Sequence, residues 1–134
     1  MPAFAPTIAI IDDDESVRRA LRRFIDLLGF NSECFATAEA FLASPFLPHC
    51  RTEACEGECF RCAILDLHLP GMSGLELQKR LKIEGRDVAL VFITAYPNER
   101  ARKQALQAGA IAFLHKPFEE QMFVDAIHKG LATS

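Results

Sequence analysis

Five short, largely apolar runs alternate with five stretches of helical periodicity, and this alternation restricts the fold more than any other property of the chain. The runs cover residues 7–11, 31–35, 62–65, 88–93 and 111–114, the second being the least apolar. Each has the length of a strand, and an apolar run without polar alternation suits a strand covered on both faces. Residues 15–28 put Val17, Leu21, Phe24, Ile25 and Leu28 on one helical face and Arg18, Arg19, Arg22 and Arg23 elsewhere. Thr37 can cap a short helix to about residue 43, residues 73–83 carry Leu75, Leu77, Leu81 and Ile83 as apolar members, and residues 98–108 and 119–131 are the remaining helices. Strand–helix repetition of this kind predicts βα units around a parallel sheet, with right-handed crossovers placing helices on both faces. The expected fold is α/β, a doubly wound five-stranded parallel sheet.

At 134 residues the chain fits one domain, 1–134, interrupted by an irregular cysteine-rich insertion at about 45–61. A net charge of −3, with no basic stripe and no helix-turn-helix pattern, argues against direct nucleic-acid contact. The apolar runs are too short to span a bilayer, and the first residues carry two prolines and no basic flank, unlike a signal peptide. A cytoplasmic location and no membrane contact are therefore expected.

The polar residues that follow the runs carry the chemistry. In open parallel sheets, ligands bind beyond the carboxyl ends of the strands. The first run ends in Asp12-Asp13, the third in Asp66, the fourth in Thr94 and the fifth precedes Lys116. Three neighbouring carboxylates resist simultaneous ionisation, and a hard divalent cation such as Mg²⁺ relieves that conflict. With Lys116 as a point charge and Thr94 as a hydroxyl, the set has what phosphoryl transfer needs, which is positioning and charge neutralisation. Taken singly, each residue has a plainer reading. Asp13 or Asp14 could cap the first helix, Thr94 could be a turn residue, and Lys116 could be solvated surface. Their conjunction at four of five strand ends favours a site.

The runs Ile11-Asp12-Asp13, Leu65-Asp66-Leu67-His68-Leu69-Pro70-Gly71-Met72-Ser73-Gly74, Phe92-Ile93-Thr94-Ala95 and Lys116-Pro117-Phe118 resemble the response-regulator receiver domain of two-component signalling over nearly the whole chain. The resemblance implies sheet order 2-1-3-4-5 and a phosphoacceptor switch rather than an enzyme, one that catalyses only its own phosphorylation and dephosphorylation. It implies Asp66 as the phosphoacceptor. Mg²⁺ would be held by Asp13, Asp66 and the main-chain carbonyl of His68, with help from Asp12. Thr94 and Lys116 would contact the phosphoryl oxygens, and Lys116-Pro117 would be cis. Thr94 and Phe113 would form the switch, with Phe113, which lacks the hydroxyl common there, either swinging inward or serving only as core. Its implied partners are a histidine kinase or phosphotransfer protein upstream and a downstream protein or output domain. The face formed by the fourth helix and fifth strand, residues 95–118, would change on phosphorylation and could support a homodimer. The His68 side chain could point at the mouth of the site, but the plainer and preferred reading is that only its carbonyl matters, and the same holds for Tyr96, two residues past Thr94.

The stretch between Asp13 and Asp66 is longer than this resemblance leads one to expect, and the extra length holds Cys50, Cys55, Cys59 and Cys62. These could supply four thiolates to Zn²⁺, although only Cys59 and Cys62 have the usual close spacing. The plainer reading is an acidic loop with free thiols, and Cys34 reads as a small core residue. Two other functions share the fold class. A flavodoxin-like carrier needs a hydroxyl- and glycine-rich phosphate loop where Asp12-Asp13-Asp14 stands. An aspartyl-phosphate phosphatase needs a second acid where His68 stands.

Overall fold

A computed structural model describes residues 7–44, 61–96 and 98–132. Among them β1 (Thr7–Ile11), α1 (Glu15–Leu27), β2 (Asn31–Phe35), α2 (Ala38–Leu42), β3 (Cys62–Asp66), α3 (Gly74–Ile83), β4 (Ala89–Thr94), α4 (Glu99–Gln107), β5 (Ala112–His115) and α5 (Glu120–Ala132) alternate strictly. The strands form one sheet of order β2-β1-β3-β4-β5, and every neighbouring pair is parallel. The expected doubly wound topology is present.

Side chains alternate across each strand, so the sheet builds two cores. Ala9, Ile11, Ala63, Leu65, Leu90 and Phe92 face Ala38 and Phe41 of α2, Leu77 and Leu81 of α3, and Ala101 and Ala105 of α4. Ile8, Ile10, Cys62, Ile64, Val91, Ile93 and Leu114 face Leu21 and Ile25 of α1 and Phe123, Ala126 and Ile127 of α5. Because both faces are covered, the central strands lack polar alternation. Each fully buried aliphatic side chain contributes about 1.5–3 kcal/mol of transfer free energy.

Each of the first four helices starts at a polar cap, as its sequence suggests. Asp14, Thr37, Ser73 and Asn98 accept from Ser16, Ala40, Glu76 and Ala101 amides, and Ser73 with Glu76 completes a reciprocal capping box. One apolar assignment is corrected. Ile83 is 82% exposed, because it lies two residues beyond the buried Leu81, about 200° around the helix. Strand ends also shift by a residue. β4 begins at Ala89 rather than Val88, and β5 runs one residue later than its apolar stretch, ending at His115.

The register places the strand ends level with one another. Ile11 pairs with Leu65, so the next step along both strands sets Asp12 beside Asp66. Asp66 pairs with Ile93 and Thr94 with His115, which puts Thr94 and Lys116 at the same edge.

Candidate functional site

The three consecutive aspartates have separate roles. Asp14 is the α1 N-cap: its Oδ1 accepts from the Ser16 amide at 2.9 Å and the Ser16 hydroxyl at 2.7 Å, which hold its carboxyl below the usual range. Asp12 is buried, 1% exposed, and its Oδ1 accepts from the Asp14 amide at 2.9 Å. Asp13 is left exposed between them. One oxygen from each of Asp12, Asp13 and Asp66 lies within 4.8 Å of the others.

Lys116 is the counter-charge. Its Nζ is 3.4 Å from Asp12 Oδ2 and 3.4 Å from Asp66 Oδ2. Its amide donates to the Thr94 carbonyl at 2.8 Å, and the Lys116-Pro117 bond is cis. Burial pushes the Asp12 carboxyl above its ordinary range, the Asp66 charge adds to that effect, and the Asp14 amide and Lys116 oppose it. Three carboxylates against one ammonium leave excess negative charge on hard oxygen donors, which fits a hard divalent cation such as Mg²⁺. Asp12, Asp13 and Asp66 are the side chains that would hold it.

Asp66 is fixed from two directions. Its Oδ1 accepts from the His68 amide at 2.9 Å. From behind, α3 presses its first residue, Gly74, so close that a Cβ there would lie 2.7 Å from the Asp66 carbonyl oxygen. Thr94 is fully buried, and its Oγ1 accepts from the Tyr96 amide at 3.1 Å and donates to the Tyr96 carbonyl at 3.3 Å. Phe113 is half-buried and stacks on Phe92, with ring centroids 5.9 Å apart. Phe92 and Thr94 share one face of β4, so Phe113 lies on the same side of the sheet as the Thr94 hydroxyl. The exposed rings of His68 and Tyr96 meet edge-on at 6.2 Å.

The structure therefore brings Asp12, Asp13, Asp66, Thr94 and Lys116 to one edge, with Phe113 behind and the His68 amide on Asp66. Of the described cysteines, Cys34 and Cys62, neither joins this cluster. Cys50, Cys55 and Cys59 lie outside the described residues. Cys62 is buried in β3, and burial raises its thiol to about 12, which disfavours the thiolate that zinc requires. Two bracing residues escaped the sequence reading. Arg18 donates to the Asp12 carbonyl at 2.7 Å, and Glu39 accepts from the Met72 amide at 3.1 Å. Arg18 is one of four arginines on its helix and Glu39 an ordinary first-turn acid, so neither carries a local signal.

Residues 8–128 match the response regulator receiver domain family. The chain belongs to that family. TodT, a response regulator of Pseudomonas putida, is 36% identical over 95% of this chain and 52% of its own length. FixJ, a transcriptional regulator of Bradyrhizobium diazoefficiens, is 32% identical over 92% of this chain and 56% of its own length. The chain thus spans about half the length of these curated relatives. Among solved structures, the response regulator StyR superimposes with a TM-score of 0.79 at 43% identity, covering 96% of this chain and 60% of StyR. The FixJ N-terminal domain superimposes with a TM-score of 0.79 at 29% identity, covering 100% of this chain and 98% of that one. A receiver domain is a phosphoacceptor switch of two-component signalling and is not classed as an enzyme. Among the described residues, no helix is long and apolar enough to cross a membrane.

Proposed function

We propose that Asp66 accepts a phosphoryl group from the phosphohistidine of a kinase or phosphotransfer protein. An Asp66 carboxylate oxygen attacks phosphorus, the N–P bond of the donor breaks, and an acyl phosphate forms. Hydrolysis returns the free carboxylate. The observation that carries this reading is the meeting of Asp12, Asp13 and Asp66 oxygens within 4.8 Å, beside an ammonium 3.4 Å from two of the three carboxylates. Mg²⁺ at these acids, with the His68 main-chain carbonyl as a further ligand, would neutralise charge on the phosphoryl oxygens. Lys116 adds a point charge to them. The receiver catalyses only its own phosphorylation and dephosphorylation.

The new group brings about −1.5 to −2 charges and three acceptor oxygens. To donate to one of them, Thr94 gives up the Tyr96 carbonyl that its hydroxyl now holds. The Tyr96 backbone then follows, and the space beside Phe113 changes. This alters the α4–β5 face that a downstream protein, an output domain or a second copy would read. Phosphorylation biases a pre-existing equilibrium, and a full reversal from 1:99 to 99:1 needs about 5.5 kcal/mol. These steps belong in the cytoplasm, where phosphohistidine donors act.

Incubation with acetyl phosphate and Mg²⁺, read by intact mass, tests the reading. The expected result is one added phosphoryl group in the native protein and none in Asp66→Ala. An unmodified native protein, or a labelled variant, would count against it.

A further inference from the structure

The loop between β3 and α3 carries the His68 carbonyl, and its backbone is held near its two ends. The Leu67 amide bonds the Ile93 carbonyl at 3.2 Å and the His68 amide Asp66 Oδ1 at 2.9 Å, while the Ser73 amide bonds Glu76 Oε1 at 2.8 Å and the Gly74 amide the Leu67 carbonyl at 3.1 Å. The far side of the loop is tied by a residue 33 positions earlier in the chain: Glu39 Oε2 accepts from the Met72 amide at 3.1 Å. The contact is close over more than one atom. Gly71 adopts φ +72°, and a Cβ built there would lie 2.8 Å from the same Glu39 oxygen. The turn is therefore folded directly onto the carboxylate.

The element that presents Glu39 is itself well anchored. Ala38 and Phe41, on either side of it in α2, are fully buried. Phe41 also meets the Phe35 ring edge-on at 5.5 Å. Rigid presentation lets a single acceptor define where a loop sits.

We propose that Glu39 is a positioning residue for the metal-binding loop, acting through the Met72 amide to hold the His68 carbonyl where a divalent cation would meet it. This rests on the reading of Asp12, Asp13, Asp66 and the His68 carbonyl as Mg²⁺ ligands. Glu39 does not touch the cation. Its role is to remove loop freedom that cation binding would otherwise have to remove.

Two substitutions separate a hydrogen-bond role from a charge role. Glu39→Gln keeps an acceptor oxygen and loses the charge, whereas Glu39→Ala loses both. Mg²⁺ affinity of the unphosphorylated protein is measured by calorimetry, and exchange of the Met72 amide is followed by NMR without metal. Glu39→Ala should weaken Mg²⁺ binding about three- to tenfold, the effect of one hydrogen bond, and speed Met72 exchange. Glu39→Gln should stay within about twofold of native in both. Acetyl phosphate labelling at saturating Mg²⁺ should be nearly native in each, because the loss lies in affinity rather than in the transfer step. Unchanged Mg²⁺ affinity in Glu39→Ala overturns the inference alone, as does a Glu39→Gln protein as weak as Glu39→Ala. A native protein that binds no Mg²⁺, or binds it equally after Asp66→Ala, overturns the metal reading and this inference with it.

Discussion

Gly74→Ala should damage the site by moving the backbone behind it. The added Cβ would meet the Asp66 carbonyl oxygen at 2.7 Å, Phe92 Cε2 at 3.0 Å and Leu67 Cα at 3.2 Å. Two of these atoms belong to the backbone, and the third to a fully buried ring. None can swing aside like the tip of a flexible side chain. Non-bonded atoms settle at about 3.5–4.0 Å, so the first turn of α3 must retreat by roughly half an ångström or more. Overpacking of this kind costs about 1–3 kcal/mol. Little of the roughly 1 kcal/mol that alanine gains over glycine in a helix interior is recovered, since Gly74 is the first helical residue. A net loss of about 1–3 kcal/mol corresponds to a fall in Tm of roughly 3–12 °C for a domain of this size. The retreat displaces Asp66 itself, and sub-ångström misplacement of a reacting group can cost about tenfold or more in rate. Acetyl phosphate labelling should therefore slow by about that factor at saturating Mg²⁺. Gly130→Ala is the control, because its Cβ would meet the Cys62 Sγ at 3.0 Å, at the opposite end of β3. It should lose stability while labelling at the native rate. A Gly74→Ala protein that melts no lower than native and labels as fast would refute the argument, and so would equal labelling losses in the two variants.

Two further outcomes follow from buried groups. Burial raises the Cys62 thiol from its ordinary 9.0 to about 12. The folded state then keeps a proton that the unfolded state releases, so this stability is intact below pH 9 and is lost as pH rises toward 12. Urea unfolding between those limits should show a shallower alkaline decline for Cys62→Ala than for the native chain; identical slopes would sink the prediction. The chain has one tyrosine and no tryptophan, so Tyr96 alone reports the movement of its own turn. Tyrosine emission should change on phosphorylation with the kinetics of the mass adduct, and Thr94→Ala should abolish the change while still forming the adduct. A spectrum unaltered by phosphorylation of the native protein would contradict the coupling of Thr94 to Tyr96.

The sheet and the candidate site at its edge were legible because both depend on local pattern. Ile8, Ile10, Ile64 and Val91 are apolar where both faces are covered, and Asp12, Asp66, Thr94 and Lys116 stand where strands stop. Which of Asp13 and Asp14 caps the first helix was not legible. Both have cap-forming side chains, and only the bond from Asp14 Oδ1 to Ser16 shows which one is spent on the helix. Ile83 misled because it shares a helix and an apolar character with Leu81, while its angle round the axis points it to solvent. Arg18 and Glu39 were invisible for a different reason. Each braces a backbone atom that comes near only after folding, across 6 and 33 positions, and a backbone atom leaves no residue type in the sequence to look for.

The all-parallel sheet also decides where this chain can change length without cost to its chemistry. Every strand points its carboxyl end toward Asp66, so the helix-to-strand returns among the described residues are made at the opposite edge. The return from the end of α3 at Ile83 to the start of β4 at Ala89 is one of these. Doubling such a connection costs only about 0.6 kcal/mol in closure entropy. Asp12, Asp66, Thr94 and Lys116 stay at the other edge, where the strands stop. Added length in that return therefore lies a full strand away from the carboxylates.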